Sequence, residues 1–299
     1  MNSKYNNSVA ALVNGGDSFS GSSLLFELED VLYGGDSTKE EINNESCFNY
    51  LSTRLALTDT VIAVVFIIYL ISYAVKTISA NNGLQELARV CSAKKEESDS
   101  IKTLLLVTLS IVLGVEIGYK LASKEAIFFL FFCHLITATQ IYLLAAPITP
   151  FSTAVLRCMM HILHLAFFGI IFMDVNGRQF HGEVALSWIQ HVLIFAVVPP
   201  YLVYHRGGTK ALESLTDFSW SSLSGAVFLI LCYFVHQPVS MITRVNINFL
   251  LCPISPYPFE GPYYRLAAVF HQTLLIQLLG KLYRIALEIC LPKNISKIN

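Results

Sequence analysis

Charge is scarce in this sequence: Asp, Glu, Lys and Arg make up 14% of its 299 residues, against 54% hydrophobic. A soluble domain of this length needs far more charged surface, so the soluble class is excluded. Basic residues are neither abundant nor bunched, with 20 Lys and Arg against 21 Asp and Glu and a net charge of -1. That leaves no concentrated cationic face and excludes a nucleic-acid partner. The seven cysteines stand singly with no CxxC pair, which argues against a zinc ribbon or a disulfide scaffold. Residues 1–54 are polar and acidic and lack an apolar core after a short basic start, so no cleavable signal peptide is expected and the first span directs insertion. Neither half repeats the other, which weakens an inverted-repeat transporter. No Asp-Arg-Tyr or Asn-Pro-x-x-Tyr motif supports the other open class, a seven-span receptor. A glycine-rich phosphate loop is also missing, and no cofactor is expected.

What is present is apolar length. Seven stretches, at 55–78, 102–121, 126–146, 150–173, 184–205, 220–242 and 266–290, each approach the twenty or so residues a helix needs to cross a bilayer. They predict an all-α, polytopic membrane protein: a seven-helix transmembrane bundle over 55–290, a mostly flexible tail over 1–54 and a short C-terminal tail over 291–299. Within the first tail, SLLFELEDVLYGG is amphipathic and suits a membrane surface. With the N-terminus outside or lumenal, twelve of the 20 Lys and Arg fall inside and eight outside, which sets the orientation. The sequons at Asn6 and Asn44 then face outward, and that at Asn294 faces the cytosol.

Ionisable residues recur at one depth. Because alternate spans run in opposite directions, Asp59, Glu116, Cys133, His134, His161, His164, His191, His236 and His271 all fall in the outer, or lumenal, half of the bilayer. Charge at the centre of a membrane helix costs on the order of 3 kcal/mol, so these groups should face one another or a wet cavity. They serve either as interhelical hydrogen bonds that hold the bundle or as a polar site.

Cysteine with histidine suggests nucleophilic catalysis, since a thiol needs an adjacent base to react. In the stretch 126–146, read as one continuous helix, Cys133 and His134 lie about 11 Å from its start. They are neighbours in sequence, and successive helical residues point apart. His191 is the better partner, because its span runs parallel and brings it to the same depth. Metal binding is the rival use: His161 and His164 share a helical face, and His236, His271 or His191 could complete a zinc site. Cys91, Cys158, Cys232 and Cys290 read as small apolar fillers. The outer loop 244–265 carries prolines at 253, 256 and 258 that forbid a helix and suit a rigid cover, with Arg244 and Arg265 available to a phosphate. Cys252 in this loop and Cys47 in the tail would share an oxidising compartment, where they could form a disulfide.

The order LYGGD at 32–36, LGVEIGYK at 113–120, FFCHLITATQIYLLA at 131–145, WIQHVL at 188–193, then NINFLLCP, GPYYR and HQTL between 246 and 274, resembles the transmembrane protein 164 family from Leu24 onward. The resemblance implies an endomembrane acyltransferase of the endoplasmic reticulum or Golgi. It would move a polyunsaturated acyl chain from a phospholipid to an ether lysophospholipid, on a bundle related to the androgen-induced hydrolases of fatty-acid esters. An intramembrane ester hydrolase is the alternative within the same chemistry. The implied catalytic pair maps to Cys133 and His191, with Glu116, His134, His236 and His271 left to line or support the site. Gln140 departs from the resemblance, which implies a further histidine there.

Overall fold

The computed structural model describes residues 21–92, 99–173, 180–253 and 259–291. The sequons at Asn6 and Asn294, and prolines 256 and 258, lie outside the described residues. All regular structure among the described residues is helical. Five helical segments are long and apolar enough to cross a membrane: Thr53–Ala80, Ser100–Ala122, Pro150–Ile171, Glu183–His205 and Ser219–Thr243. Their outward faces carry large apolar side chains such as Val61, Val65, Ile68 and Leu104, a surface that lipid rather than water would cover.

The described residues begin with three short helices, α1 (Gly21–Tyr33), α2 (Asp36–Ile42) and α3 (Glu45–Phe48). This part was expected to be mostly flexible tail, and local contacts explain why it is ordered. Asp30 forms a salt bridge with Lys124. Gly35 packs so closely on the turn at 123–125 that a Cβ there would lie 2.5 Å from the Ser123 carbonyl oxygen. Asn44 caps α3, accepting from the Cys47 amide. Cys47 and Cys252 form a disulfide across 205 residues of sequence. Cys47→Ser or Cys252→Ser is therefore expected to abolish the mobility difference between reducing and non-reducing gels. Either change should cost about 2 to 4 kcal/mol of stability, read by thermal unfolding of the purified protein.

There follow α4 (Thr53–Ala80), the short amphipathic α5 (Gly83–Ser92), α6 (Ser100–Ala122) and a 3-10 turn (Ala126–Leu130) leading to α7 (Phe132–Ala145). Of the seven expected spans, five are long and apolar enough to cross a membrane among the described residues. The stretch 126–146 is not one helix, because the buried Lys120–Glu125 salt bridge and the left-handed backbone at Lys124 turn the chain. Phe128 then stacks on Phe131 in a run of aromatic residues that are weak helix formers. What remains, α7, has 14 residues and rises about 20 Å, short of a bilayer core of about 30 Å. The last helix, α14 (Tyr264–Cys290), is long at 27 residues. His271, Gln272, Gln277 and Lys281 make it more polar than the five.

The remaining spans are broken. Pro150–Ile171 comprises α8 (Pro150–Ile162) and α9 (His164–Ile171), interrupted at Leu163. Glu183–His205 comprises α10 (Glu183–Val192), a π turn (Leu193–Val197) and α11 (Val198–His205). Ser219–Thr243 comprises α12 (Ser219–Ile230), a second π turn (Leu231–His236) and α13 (Gln237–Thr243). Each π turn stands just before a proline, Pro199 or Pro238, whose missing amide donor and ring clash unsettle the preceding turn.

At the end opposite the disulfide, buried charges tie the bundle. Glu213 accepts from His161 Nε2 at 3.0 Å and from Lys281 Nζ at 2.7 Å. Burial pushes the Glu213 carboxyl up, but the bond and charge of His161 and then Lys281 outweigh it and bring the carboxyl down to about 2. Because the folded value lies below the ordinary 4.5, the stabilisation is present above pH 4.5 and lost as pH falls toward 2. Glu213→Gln leaves Lys281 buried without its carboxylate and should cost about 3 to 5 kcal/mol near neutral pH. In thermal unfolding, its deficit relative to wild type should shrink on acidification through that window.

Candidate active site

Cys133 is the second residue of α7, not a mid-helix residue as the continuous reading of 126–146 had it. The first turn of a helix presents backbone N–H groups beyond its end and the positive end of the helix dipole. The thiol is partly buried and packs against the apolar cluster that includes Leu163 and Ala166 of α8–α9 and Ile194 of the first π turn. The thiol therefore sits at a helix start, against an apolar cluster to which α8, α9 and the first π turn contribute.

His191 occupies the last turn of α10 and is buried. Its Nδ1 lies 2.7 Å from the Ser187 carbonyl oxygen, one turn earlier. A carbonyl oxygen only accepts, so Nδ1 carries the proton and Nε2 of the neutral ring keeps its lone pair. The Nε2 edge passes over Gly169 of α9, where a Cβ would lie 2.3 Å from Nε2 and 2.4 Å from Cδ2. Only glycine allows that approach. The ring is thus held by a backbone bond on one nitrogen and a bare helix face beside the other.

α7 and α10 are keyed together one residue away. Gln190 donates through Nε2 to Thr137 Oγ1 at 3.0 Å and stands 3.3 Å from His134 Nδ1. Thr137 in turn donates to the Cys133 carbonyl oxygen at 2.7 Å. His134 therefore clamps the two helices, edge-on to Phe129, while its neighbour Cys133 and Gln190's neighbour His191 stand on the same pair of helices at the same level. Glu116 is buried on α6, one turn before Lys120, which binds Glu125 at 3.2 Å and Glu183 at 3.6 Å. These ion pairs fix the starts of the 3-10 turn and of α10 against α6, which sets where Cys133 and His191 begin.

The other expected residues divide. His236, fully buried, accepts from Asn248 Nδ2 at 3.1 Å through Nδ1 and lies edge-on to Phe132, the residue before Cys133. His271 is half-buried on α14 and packs against Phe259. His161 turns to Glu213, and His164 bonds the His161 carbonyl oxygen through Nδ1 and stands 3.4 Å from Gln272. The HxxH pair therefore does not converge on a common point, and the break at Leu163 between α8 and α9 is the reason. Among the described residues, no group of three or more His, Cys, Asp or Glu is arranged to hold a metal ion.

Residues that spacing did not flag complete the frame: Ser187, Gln190, Thr137 and Gly169. Gln140 joins them through the π turn. The Val198 amide bonds to the Leu193 carbonyl, five residues back, instead of to Ile194. The Ile194 carbonyl accepts from Gln140 Nε2 at 2.7 Å, and the Phe195 carbonyl, whose helical donor would be Pro199, accepts from the Tyr283 hydroxyl. Gln140 is thus a tie from α7 to the segment just after His191. A lone glycine in an apolar span and a Pro-Pro pair eight residues after His191 were the available signals.

A family model described as the TMEM164 family matches residues 48–283, the greater part of the chain. No solved structure matches it.

Proposed function

The chain belongs to the TMEM164 family, and from that premise we propose that it is a membrane-embedded lipid acyltransferase using Cys133 as nucleophile and His191 as base. The observation that carries the reading is the His191 tautomer: Nδ1 is committed to the Ser187 carbonyl, so Nε2 is the basic nitrogen. His191 Nε2 takes the thiol proton as sulfur attacks the carbonyl carbon of a phospholipid ester. The carbon–oxygen ester bond then breaks, and the leaving lysophospholipid oxygen receives that proton from His191. A second lysophospholipid hydroxyl, deprotonated by the same nitrogen, attacks the thioester, and the departing sulfur is reprotonated. We assign the Phe132 and Cys133 amides at the start of α7 to the oxyanion that develops in each step, since those of His134 and Leu135 donate to the Phe131 carbonyl oxygen.

His134 and Glu116 act as positioning residues, and His236 and His271 as groups around the lipid. The substrates are membrane phospholipids and lysophospholipids, with a polyunsaturated chain and an ether acceptor as the specific assignment. The Cys47–Cys252 disulfide favours an oxidising lumen for its side of the bundle, with the N-terminus there, the C-terminus cytosolic and an endoplasmic reticulum or Golgi membrane. Purified protein in micelles of defined donor and ether lysophospholipid tests the proposal by lipid mass spectrometry. Wild type should form the transferred product and Cys133→Ser should not. Equal product from both would refute a cysteine nucleophile, and free fatty acid in place of product would make the chain a hydrolase.

A further inference from the structure

A short braced segment links the disulfide to the start of α7. Residues 244–252 run from the end of α13 to Cys252, which is bonded to Cys47 of α3. Asn246 closes this segment on itself, donating through Nδ2 to the Cys252 carbonyl oxygen at 3.0 Å and accepting the Leu251 amide at 2.8 Å. The Ile247 amide donates to Ser240 Oγ of α13, and the Tyr264 hydroxyl of α14 donates to the Phe249 carbonyl oxygen. Inside that frame Asn248 and Phe249 both hold left-handed backbone, with φ of 50° and 59°. Residues other than glycine keep such a conformation only where their surroundings fix it. Val245 and Ile247 also pack with Ile127 and Phe128 of the 3-10 turn, so the segment rests on the chain that leads into α7.

The fixed backbone aims one side chain at the site. Asn248 Nδ2 stands 3.1 Å from His236 Nδ1. An amide nitrogen only donates, so Nδ1 accepts and the ring proton sits on Nε2. His236 is fully buried and meets the Phe132 ring at right angles, 5.1 Å between centres, while Phe132 stacks on Phe228 at 4.6 Å. Both are favourable ring geometries, and together they fix the first residue of α7. The Phe132 amide is one of the two assigned to the oxyanion, and the next residue is Cys133. We propose that Asn248 is a positioning residue for acyl transfer: through His236 it fixes Phe132 and the start of α7, and the Cys47–Cys252 disulfide holds it in place. This role rests on the acyltransferase reading for its effect on rate, but the placement of α7 can be read without any transfer.

The experiment uses full-length protein in micelles, well below the unfolding temperature of every variant. Glycine adopts left-handed backbone freely, so Asn248→Gly removes the bond to His236 and spares the loop. It should lower kcat about tenfold with KM unchanged, less than the hundredfold that follows a shift of about 1 Å in a catalytic group. The double variant Cys47→Ser, Cys252→Ser should lose the same factor. Adding Asn248→Gly to it should cost nothing further, because both changes release one element. Alkylation by a small maleimide, read by peptide mass spectrometry, gives the second readout. Cys133 should react about tenfold faster in these variants, while Cys91, on α5 at the opposite end, keeps its wild-type rate. Full kcat in Asn248→Gly, or a loss that appears in KM, would overturn the proposal. Losses that multiply in the combined variant would overturn the part given to the disulfide, and equal acceleration at Cys91 would reduce the effect to general loosening and overturn the whole. Wild-type protein that transfers no acyl chain, yet shows the expected change at Cys133 alone, would sink the enzymatic reading and leave Asn248 as the residue that fixes α7.

Discussion

Replacing His191 by alanine is expected to lower acyl transfer about a thousandfold at saturating lipid, the usual cost of removing a general base that serves both half-reactions. Folding should be retained, because the bond from the ring to the Ser187 carbonyl oxygen lies within α10 and alanine is a strong helix former. His191→Gln should be as inactive as alanine, since an amide can mimic the Nδ1 bond to Ser187 but cannot take a proton. If His134→Ala instead produced the larger loss, the base would be the sequence neighbour of the thiol. The expected effect of His134→Ala is smaller, because it loosens the clamp to Gln190 without removing the basic nitrogen. Initial-rate assays on the purified variants, with thermal unfolding as the control for folding, check all three.

Gly169→Ala carries the second large effect. Alanine normally stabilises a helix interior relative to glycine by up to about 1 kcal/mol. Here the added methyl would sit 2.3 Å from His191 Nε2 and 2.4 Å from Cδ2, less than any tolerated contact. The ring must swing away or α9 must separate from α10. A shift of about 1 Å in a catalytic group costs on the order of a hundredfold in rate, so kcat should fall by about that factor while lipid binding is kept. An active Gly169→Ala protein with a raised melting temperature would mean that His191 stands elsewhere during turnover.

These two positions also mark how far the sequence could be read. The all-α membrane class was legible from apolar length alone, whereas the choice of His191 for Cys133 rested on depth arithmetic, beside which the structure shows the tie from Gln190 to Thr137 and His134 between their two helices. The shape of the third apolar stretch was not legible. Hydrophobicity is the same whether 126–131 is α-helix or a 3-10 turn, and only the burial of Glu125 against Lys120 decides it. Depth arithmetic likewise grouped His161 with His191, although Glu213, in a loop far along the chain, draws His161 the other way. Gly169 shows the general limit: its role depends on which ring crosses it from another helix, and a single span contains no trace of that neighbour. The π turns were closer to legible, since Pro199 and Pro238 remove the donors that would have closed the preceding helical turns.

The two-step reaction requires an acyl-thioester on Cys133, an intermediate that a receptor, a transporter or a direct transfer would not form. Protein incubated with a phospholipid bearing an isotopically labelled sn-2 chain, without lysophospholipid acceptor, should gain the mass of one acyl group on Cys133. That mass should be released by neutral hydroxylamine, and it should transfer to an added ether lysophospholipid. Protein that carries out transfer at full rate with no acyl group ever trapped on Cys133, or that is labelled equally in the Cys133→Ser form, would contradict the mechanism.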